Sequence, residues 1–189
     1  MTPSVATLTA APAALTTWQL DPSHVEIGFA VRHLMISTVK GRFGTVQGTV
    51  LVEGDDFATA KVDVTIDAAS VDTREPNRDA HLRSADFFDV ERFPTLTFKS
   101  RRVERAGADQ FRLIGDLTIH GVTREVGLDV VTEGFVRDPW GKERAGFSAK
   151  GHLKRSEFGL TWNAALEAGG MVLSDDIKLS MDVELTKQA

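Results

Sequence analysis

The sequence predicts an all-β protein: an extended, closed, eight-stranded antiparallel β-barrel with a short helical insert. Three observations predict it. Apolar and polar residues alternate with period two through most of the 189 residues, which places successive side chains on opposite faces of a sheet. The alternating segments are joined by short Gly-, Asp- and Pro-containing links without a helix between successive strands, which argues against a parallel sheet. Several segments run to about nine to twelve residues, where a typical strand has about five or six. Long antiparallel strands with one polar face suit a barrel, which leaves no open sheet edge.

Taken in order, residues 18–20 form a short apolar start stopped by Asp21-Pro22. Proline lacks a donor and restricts the residue before it, so a turn or edge is expected there. In residues 25–33, VEIGFAVRH, Val25, Ile27, Phe29, Val31 and His33 share one face, and Glu26, Gly28, Ala30 and Arg32 the other. This apolar face ends in a histidine, so the strand runs from a greasy interior toward something polar. Gly41 and Gly44 bracket Arg42-Phe43, residues 45–53 read as the next strand, and Gly54-Asp55-Asp56 is a turn. Val62, Val64, Ile66 and Ala68 then alternate with Lys61, Asp63, Thr65 and Asp67.

The pattern breaks over residues 77–90. Leu82, Ala85 and Phe88 fall at helical spacing behind Asn77 or Asp79 as a cap, which predicts one or two short helices ending near Pro94. Leu82, Phe87 and Phe88 are expected to pack onto the barrel end. Alternation resumes with Leu96 and Phe98, then with Phe111, Leu113, Gly115, Leu117 and Ile119, and Gly121 turns the chain. Val126, Leu128 and Val130 follow, then a turn at Asp138-Pro139-Trp140-Gly141, then Ala145, Phe147, Ala149, Gly151 and Leu153. Residues 157–174 are irregular. The last strand, 176–187, alternates cleanly from Ile177 to Leu185.

The length suits one domain with a core that needs no disulfide. With no cysteine, a disulfide framework, a cysteine nucleophile and a thiolate metal site are excluded. The net charge is −5, and no run of Lys or Arg marks a nucleic-acid or anionic-membrane patch. No apolar run approaches the roughly 18–20 residues of a membrane-spanning helix. Residues 1–17 are Ala/Thr/Pro-rich without charge and read as a flexible tail before a domain over 18–189. They lack the basic n-region and solid apolar core of a secretory signal, so the expectation is a cytoplasmic protein, with a periplasmic or secreted one as the alternative.

Five histidines are present, and none has the i, i+4 spacing of a helical zinc motif. His120 and His152 fall on solvated faces, whereas His33 shares an apolar face. There is no Gly-x-Ser-x-Gly elbow and no phosphate loop. Nothing marks two carboxylates as a tuned acid and base, so no enzyme, metal or cofactor is expected. Arg74, Arg78 and Arg83 with Asp72, Asp79 and Asp86 flank the helical insert. They read as a solvated face whose ions pair with one another, or as a basic rim suited to an anionic headgroup. An eight-stranded barrel is either filled by its own side chains or holds one small ligand, and the pattern leaves both open.

The motifs resemble the YceI-like family of bacterial polyisoprenoid-binding, lipocalin-like proteins. They are Trp18-Gln-Leu-Asp-Pro-Ser-His24, Phe29-Ala-Val-Arg-His33, Val39-Lys-Gly-Arg-Phe43 and Ala69-Ser-Val-Asp-Thr73. Arg78-Asp-Ala-His-Leu-Arg-Ser-Ala-Asp-Phe-Phe-Asp-Val90 and Phe93-Pro-Thr-Leu-Thr-Phe-Lys-Ser100 follow. The second half adds Gly115-Asp-Leu-Thr-Ile-His-Gly-Val-Thr123, Arg155-Ser-Glu-Phe-Gly-Leu160 and residues 175–184. Val25 stands where many members have Ser. The resemblance implies an elongated apolar pocket for a long-chain isoprenoid, an isoprenoid quinone or another amphiphilic lipid. The expected lining is Phe29, Val31, Phe43, Phe98, Leu117, Ile119 and Phe147, with His33 near the headgroup, Arg78, His81 and Arg155 as further headgroup candidates, and Met171 as a flexible contact at the mouth. Competing readings are an enzyme acting on a bound isoprenoid and a filled barrel serving as an interaction module. Symmetric dimers are common for such domains, and nothing in the sequence fixes an interface.

Overall fold

The computed structural model describes residues 14–167 and 169–189. The strands are β1 (Leu15–His33), β2 (Ser37–Phe43), β3 (Val46–Glu53), β4 (Asp56–Asp67), β5 (Val71–Asp72), β6 (Thr95–Arg105), β7 (Gln110–Ile119), β8 (Val122–Arg137), β9 (Glu143–Lys154) and β10 (Leu173–Lys187). Helix α1 (Pro76–Arg83) lies between β5 and β6. The ring β1-β3-β4-β6-β7-β8-β9-β10 closes where β10 pairs with β1, every pairing antiparallel. This is the eight-stranded closed barrel with one short helix that the alternation predicts.

Two short strands complete the mouth end. The first part of β1 pairs with β3 and its last part with β2, Ile27 opposite Phe43 and His33 opposite Ser37. β2 and β3 therefore act as one wall strand bent at Gly44, and the short β5 extends the wall by pairing with β2.

Four sequence expectations are corrected. Asp21-Pro22 does not turn the chain. Leu20 pairs with Leu185 and Val25 with Val183, so residues 21–24 bulge out of a continuous strand, which lets proline sit where no ladder bond is needed. The strand begins at Leu15, so residues 15–17 belong to the barrel and pair with β3. The rest of the expected tail, residues 1–13, lies outside the described residues. α1 ends at Arg83, so Ala85 and Phe88 are not helical, and its cap is Glu75, whose carboxylate accepts from Asn77 N and Arg78 N. Pro76 fits the first turn because its missing N–H would have no helical partner there.

Inward residues form one continuous core with two centres. At one end Trp18, Val50, Val52, Phe57, Ala60, Phe111, Ala145 and Leu185 pack together. The larger cluster, from Phe43 and Val46 through Leu96 and Phe98 to Phe158 and Leu160, occupies the rest. The β7–β8 hairpin turns on His120 (φ 52°) and Gly121 (φ 73°), the pair of positive φ values that a two-residue loop matched to strand twist requires.

Candidate functional site

The inward faces do not fill the barrel. A cavity of about 490 Å³ runs between them, within the range of small-molecule sites, roughly 300–1,000 Å³. On β10 its wall extends from Leu173 to Leu185, and on β1 from Leu20 to His33. Twelve residues of strand at about 3.3 Å each, tilted about 40°, correspond to roughly 30 Å along the axis. The wall is apolar almost throughout. Gly41 leaves room for the Phe29 ring in that wall, because a Cβ there would collide with it.

The two ends differ. At the blind end Phe57 stacks against Trp18 at 5.4 Å, Phe147 at 5.1 Å and Phe135 at 5.4 Å between ring centroids. Trp18, Ala145 and Leu185 are buried there. The other end is bordered by less regular structure: α1, the loop after it, the β1–β2 turn and the segment before β10. Its lining includes His33, Thr73, Arg78, His81, Leu82, Phe87, Trp162, Val172 and Leu173. His81, Phe87 and Trp162 form a triangle of rings 4.8–5.3 Å apart. This is the mouth.

Arg155 stands at the mouth and is only 6% exposed. It belongs to the turn after β9, where Gly159 at φ 76° lets the chain reverse. Its Nε donates to the Ser174 carbonyl at 3.0 Å, and its Nη1 to the carbonyls of Leu160 at 2.7 Å and Trp162 at 2.8 Å. None of these partners carries charge. Among the described residues Nη2 has no partner, yet it is not sealed from solvent. Burial pushes the guanidinium pKa down, with Asp175 acting weakly against it.

A second group supports the mouth. Buried Asp79 accepts from Thr73 N at 2.9 Å and Thr73 Oγ1 at 2.5 Å. Arg78 donates from Nε to Thr73 Oγ1 at 2.7 Å and from Nη2 to the Thr73 carbonyl at 2.8 Å. His81 Nε2 lies 2.8 Å from Asp86 Oδ2. The charged residues flanking α1 therefore do not pair mainly with one another. Arg83 donates to the carbonyls of Ala69 and Val71, and Asp72 pairs with Arg42 of β2. The helix faces the end of a sheet whose last carbonyls need donors, and arginine supplies them.

Phe29, Val31, His33, Phe43, Phe98, Leu117, Ile119, Phe147, Arg78, His81 and Arg155 all lie in the cavity wall. Met171 does not. It is 49% exposed on the far side of a turn, bridged to Ala165. Val172 and Leu173 hold the inward positions instead, because the turn at Gly169 and Gly170 sets the parity of the chain before β10. Leu82, Phe87 and Phe88, expected only to pack on the barrel end, reach the cavity as well, and so do Thr73 and Trp162. The paired phenylalanines were the sequence signal for the first group. Thr73 carries no such signal, because its place depends on Asp79.

His120 packs against Phe93 at 4.7 Å rather than standing free in solvent. On the outer wall at the blind end, ligand atoms of Asp21, His24 and Glu184 lie within 4.8 Å of one another. Arg144 already donates to both carboxylates and to Asp138, so this group is an ion-pair cluster around a guanidinium.

The sequence matches the YceI-like domain over residues 18–185. A UPF0312 protein of Staphylococcus aureus strain USA300 is 37% identical over 175 residues, covering 91% of this chain and 98% of the relative. The YCEI protein of Campylobacter jejuni is 36% identical with a TM-score of 0.71, covering 84% of this chain and 90% of that one. Burkholderia cenocepacia BcnA, 20% identical, has the same fold with a TM-score of 0.76 over 87% of this chain and 98% of its own. A polyisoprenoid binding domain from Saccharophagus degradans, 15% identical, shares it with a TM-score of 0.67 over 90% of this chain and 98% of its own.

Proposed function

Because this chain belongs to the YceI-like domain family and its barrel encloses an apolar cavity, we propose that it binds one long-chain amphiphile, a polyisoprenoid, isoprenoid quinone or fatty-acid-like lipid, for transport, storage or sequestration. The observation that carries this reading is the cavity's chemistry: an aromatic blind end, an apolar shaft and all of its polar groups at the mouth. A void of this size left dry would cost on the order of 10 kcal/mol at about 24 cal/mol per Å³, comparable with the whole stability of a domain. A hydrocarbon chain removes that cost and gains about 25 cal/mol per Å² of apolar surface withdrawn from water. That a chain of the same fold bears the description polyisoprenoid binding domain is in keeping with this chemistry.

The head of the ligand sits at the mouth, facing Arg155, Arg78, His81 and His33. A buried guanidinium with a free Nη2, hydrogen-bonded only to carbonyls and with Asp175 as its one nearby carboxylate, favours an oxygen-rich or anionic head, since charge-assisted bonds are about twice as strong as neutral ones. The test is native mass spectrometry of freshly purified protein, then solvent extraction and lipid identification. A stoichiometric mass excess that extracts as an isoprenoid or fatty amphiphile is the expected result. A bare polypeptide mass, unchanged after incubation with polyprenyl lipids, overturns the proposal.

A further inference from the structure

Charge is distributed unevenly over the outer wall. On β4, β6, β7 and β8 the cations meet carboxylates: Lys99 and Asp63 at 3.1 Å, Arg101 with Asp116 and Glu125 at 2.9 and 3.0 Å, Arg112 and Asp129 at 2.6 Å. The wall formed by β2, β1, β10 and β9 carries Glu26, Asp182 and Glu184 toward the blind end, but its mouth-side half is different. Its register sets Lys40, Ala30, Lys178 and His152 side by side in one cross-strand row. Nearer the mouth Arg32 pairs with Thr38 and Asp176 with Lys154, on either side of an irregularity in the β1–β10 ladder, and the row beyond holds Arg42, Gly28, Ser180 and Lys150. Those outward positions carry Arg32, Lys40, Arg42, Lys150, Lys154 and Lys178 against the single carboxylate of Asp176. All six cations are exposed, and among the described residues only Arg42 has an ion-pair partner, Asp72.

Neighbouring strands lie about 4.8 Å apart and successive outward residues about 7 Å. Lys40 and Arg42 are thus about 7 Å apart, and Lys40 and Lys178, with Ala30 between them, about 10 Å, close to the Debye length of about 8 Å at physiological salt, so their mutual repulsion is only partly screened. Carboxylates stand only at the patch's borders, Asp175 beside Lys154, Asp129 across from Lys150 and Asp72 beside Arg42, so Arg32, Lys40 and Lys178 at its centre have no ion-pair partner among the described residues and offer their charge to an anionic surface.

The same wall ends in an apolar lip. The β1–β2 turn holds Leu34 at φ 51° and Met35 at φ 60°, two consecutive left-handed residues without glycine, which cost about 1–2 kcal/mol each. Met35 is 61% and Ile36 81% exposed. Arg32 braces the turn by donating to the Met35 carbonyl at 2.6 Å, and Leu34 N donates to the carbonyl of Val172 in the cavity wall at 2.8 Å. The lip is therefore continuous with the mouth.

We propose that this basic wall and its lip dock the protein on an anionic phospholipid surface. Lys40, Lys178 and their neighbours meet the headgroups while Met35 and Ile36 enter the acyl boundary. The docking does not depend on the lipid-carrier reading, but its use does: a chain could then pass between bilayer and cavity without crossing water.

Vesicle flotation tests it, with phosphatidylcholine alone and with added phosphatidylglycerol, at low and high salt. The expected result is binding only to the anionic vesicles, lost as salt rises. K40Q/K178Q should weaken partitioning about 25-fold, at roughly fivefold per cation, and I36S about tenfold. K99Q/R101Q on the opposite wall should leave it unchanged. Equal partitioning into both vesicle types, full binding by K40Q/K178Q, or preference for a single-stranded oligonucleotide over vesicles would overturn the proposal. Native mass spectrometry of K40Q/K178Q separates the two readings: cavity occupancy should stay intact while docking is lost.

Discussion

Two arginines, one at each end of the barrel, make the same number of attachments and do opposite things. Arg144 lies on the outer wall at the blind end and is held by three carboxylates, Asp138 at 2.7 Å, Asp21 at 2.8 Å, and Glu184. Arg155 lies at the mouth and is held by three carbonyls. Asp138, Asp21 and Glu184 push the Arg144 pKa up, whereas burial pushes that of Arg155 down. Carboxylates neutralise a guanidinium; carbonyls only orient it. The blind end is thus clamped from outside by a cluster whose charges are spent on one another. The mouth is organised from inside by a charge that stays available. That difference gives the cavity its direction, tail toward Phe57 and head toward Arg155.

The largest effect should come from making the ends alike. Phe147→Asp puts an unpaired carboxylate among Phe57, Phe135 and the shaft, where an uncompensated charge costs several kcal/mol. Lipid occupancy is expected to fall at least 100-fold, read by native mass spectrometry with circular dichroism as the check on folding. Phe29→Asp, at a half-buried position midway along the shaft, should do the same with less strain on the core. Full occupancy in either folded variant means that the chain does not lie in this cavity.

Removing the mouth arginine comes next. Arg155→Met leaves the carbonyls of Leu160, Trp162 and Ser174 without their donor, at about 1–3 kcal/mol for each that water does not reach, so a loss of about 3 kcal/mol is expected in urea unfolding. Arg144→Met removes pairs screened by solvent and should cost clearly less. Equal losses would mean that the two residues are clamps of one kind.

Much of this was legible in the sequence, and the exceptions have physical reasons. Period-two alternation identifies which residues face inward, so Phe29, Val31, Phe43, Phe98, Leu117, Ile119 and Phe147 were found from it with the family resemblance. It says nothing where the chain is irregular, and there the expected mouth contact of Met171 gives way to Val172 and Leu173. Nor does it foresee a bulge: Asp21-Pro22 reads as a stop, yet β1 runs through it because residues 21–24 swing outward to meet Arg144. The basic wall was invisible for a further reason. Lys40, Lys150 and Lys178 are far apart in the chain, and only the register of β2, β1, β10 and β9 makes them neighbours.

A smaller effect gauges the length of the shaft. Each methylene buried contributes about 0.8 kcal/mol, so in a homologous series of fatty acids affinity should rise about fourfold per carbon. It should level off once the chain end meets Phe57 and Phe147. Phe147→Ala should shift the plateau to longer chains and leave the slope unchanged, read by dye displacement. A plateau that does not move would place the tail elsewhere.

The smallest effect concerns the outer clamp alone. The Arg144 guanidinium, with help from Ser23 N–H, holds the Asp21 carboxyl down at about 2, against 3.8 for the free group. A carboxylate depressed on folding contributes stability that is fully present above its unfolded pKa and is lost as pH falls through the folded one. The contribution is therefore complete above about pH 4 and gone below about pH 2. With solvent screening of this partly exposed pair it amounts to about 1 kcal/mol. Asp138, held down first by the same guanidinium, responds in the same direction. Unfolding in urea at pH 5 and pH 2 should show that stability falls less between them in Arg144→Met than in the parent. Arg155→Met, whose arginine is bonded only to carbonyls and acts on the Asp175 carboxyl through space alone, should flatten the profile less than Arg144→Met does. If it flattens the profile as Arg144→Met does, then the mouth arginine is compensated by a carboxylate after all, and the direction assigned to the cavity loses its basis.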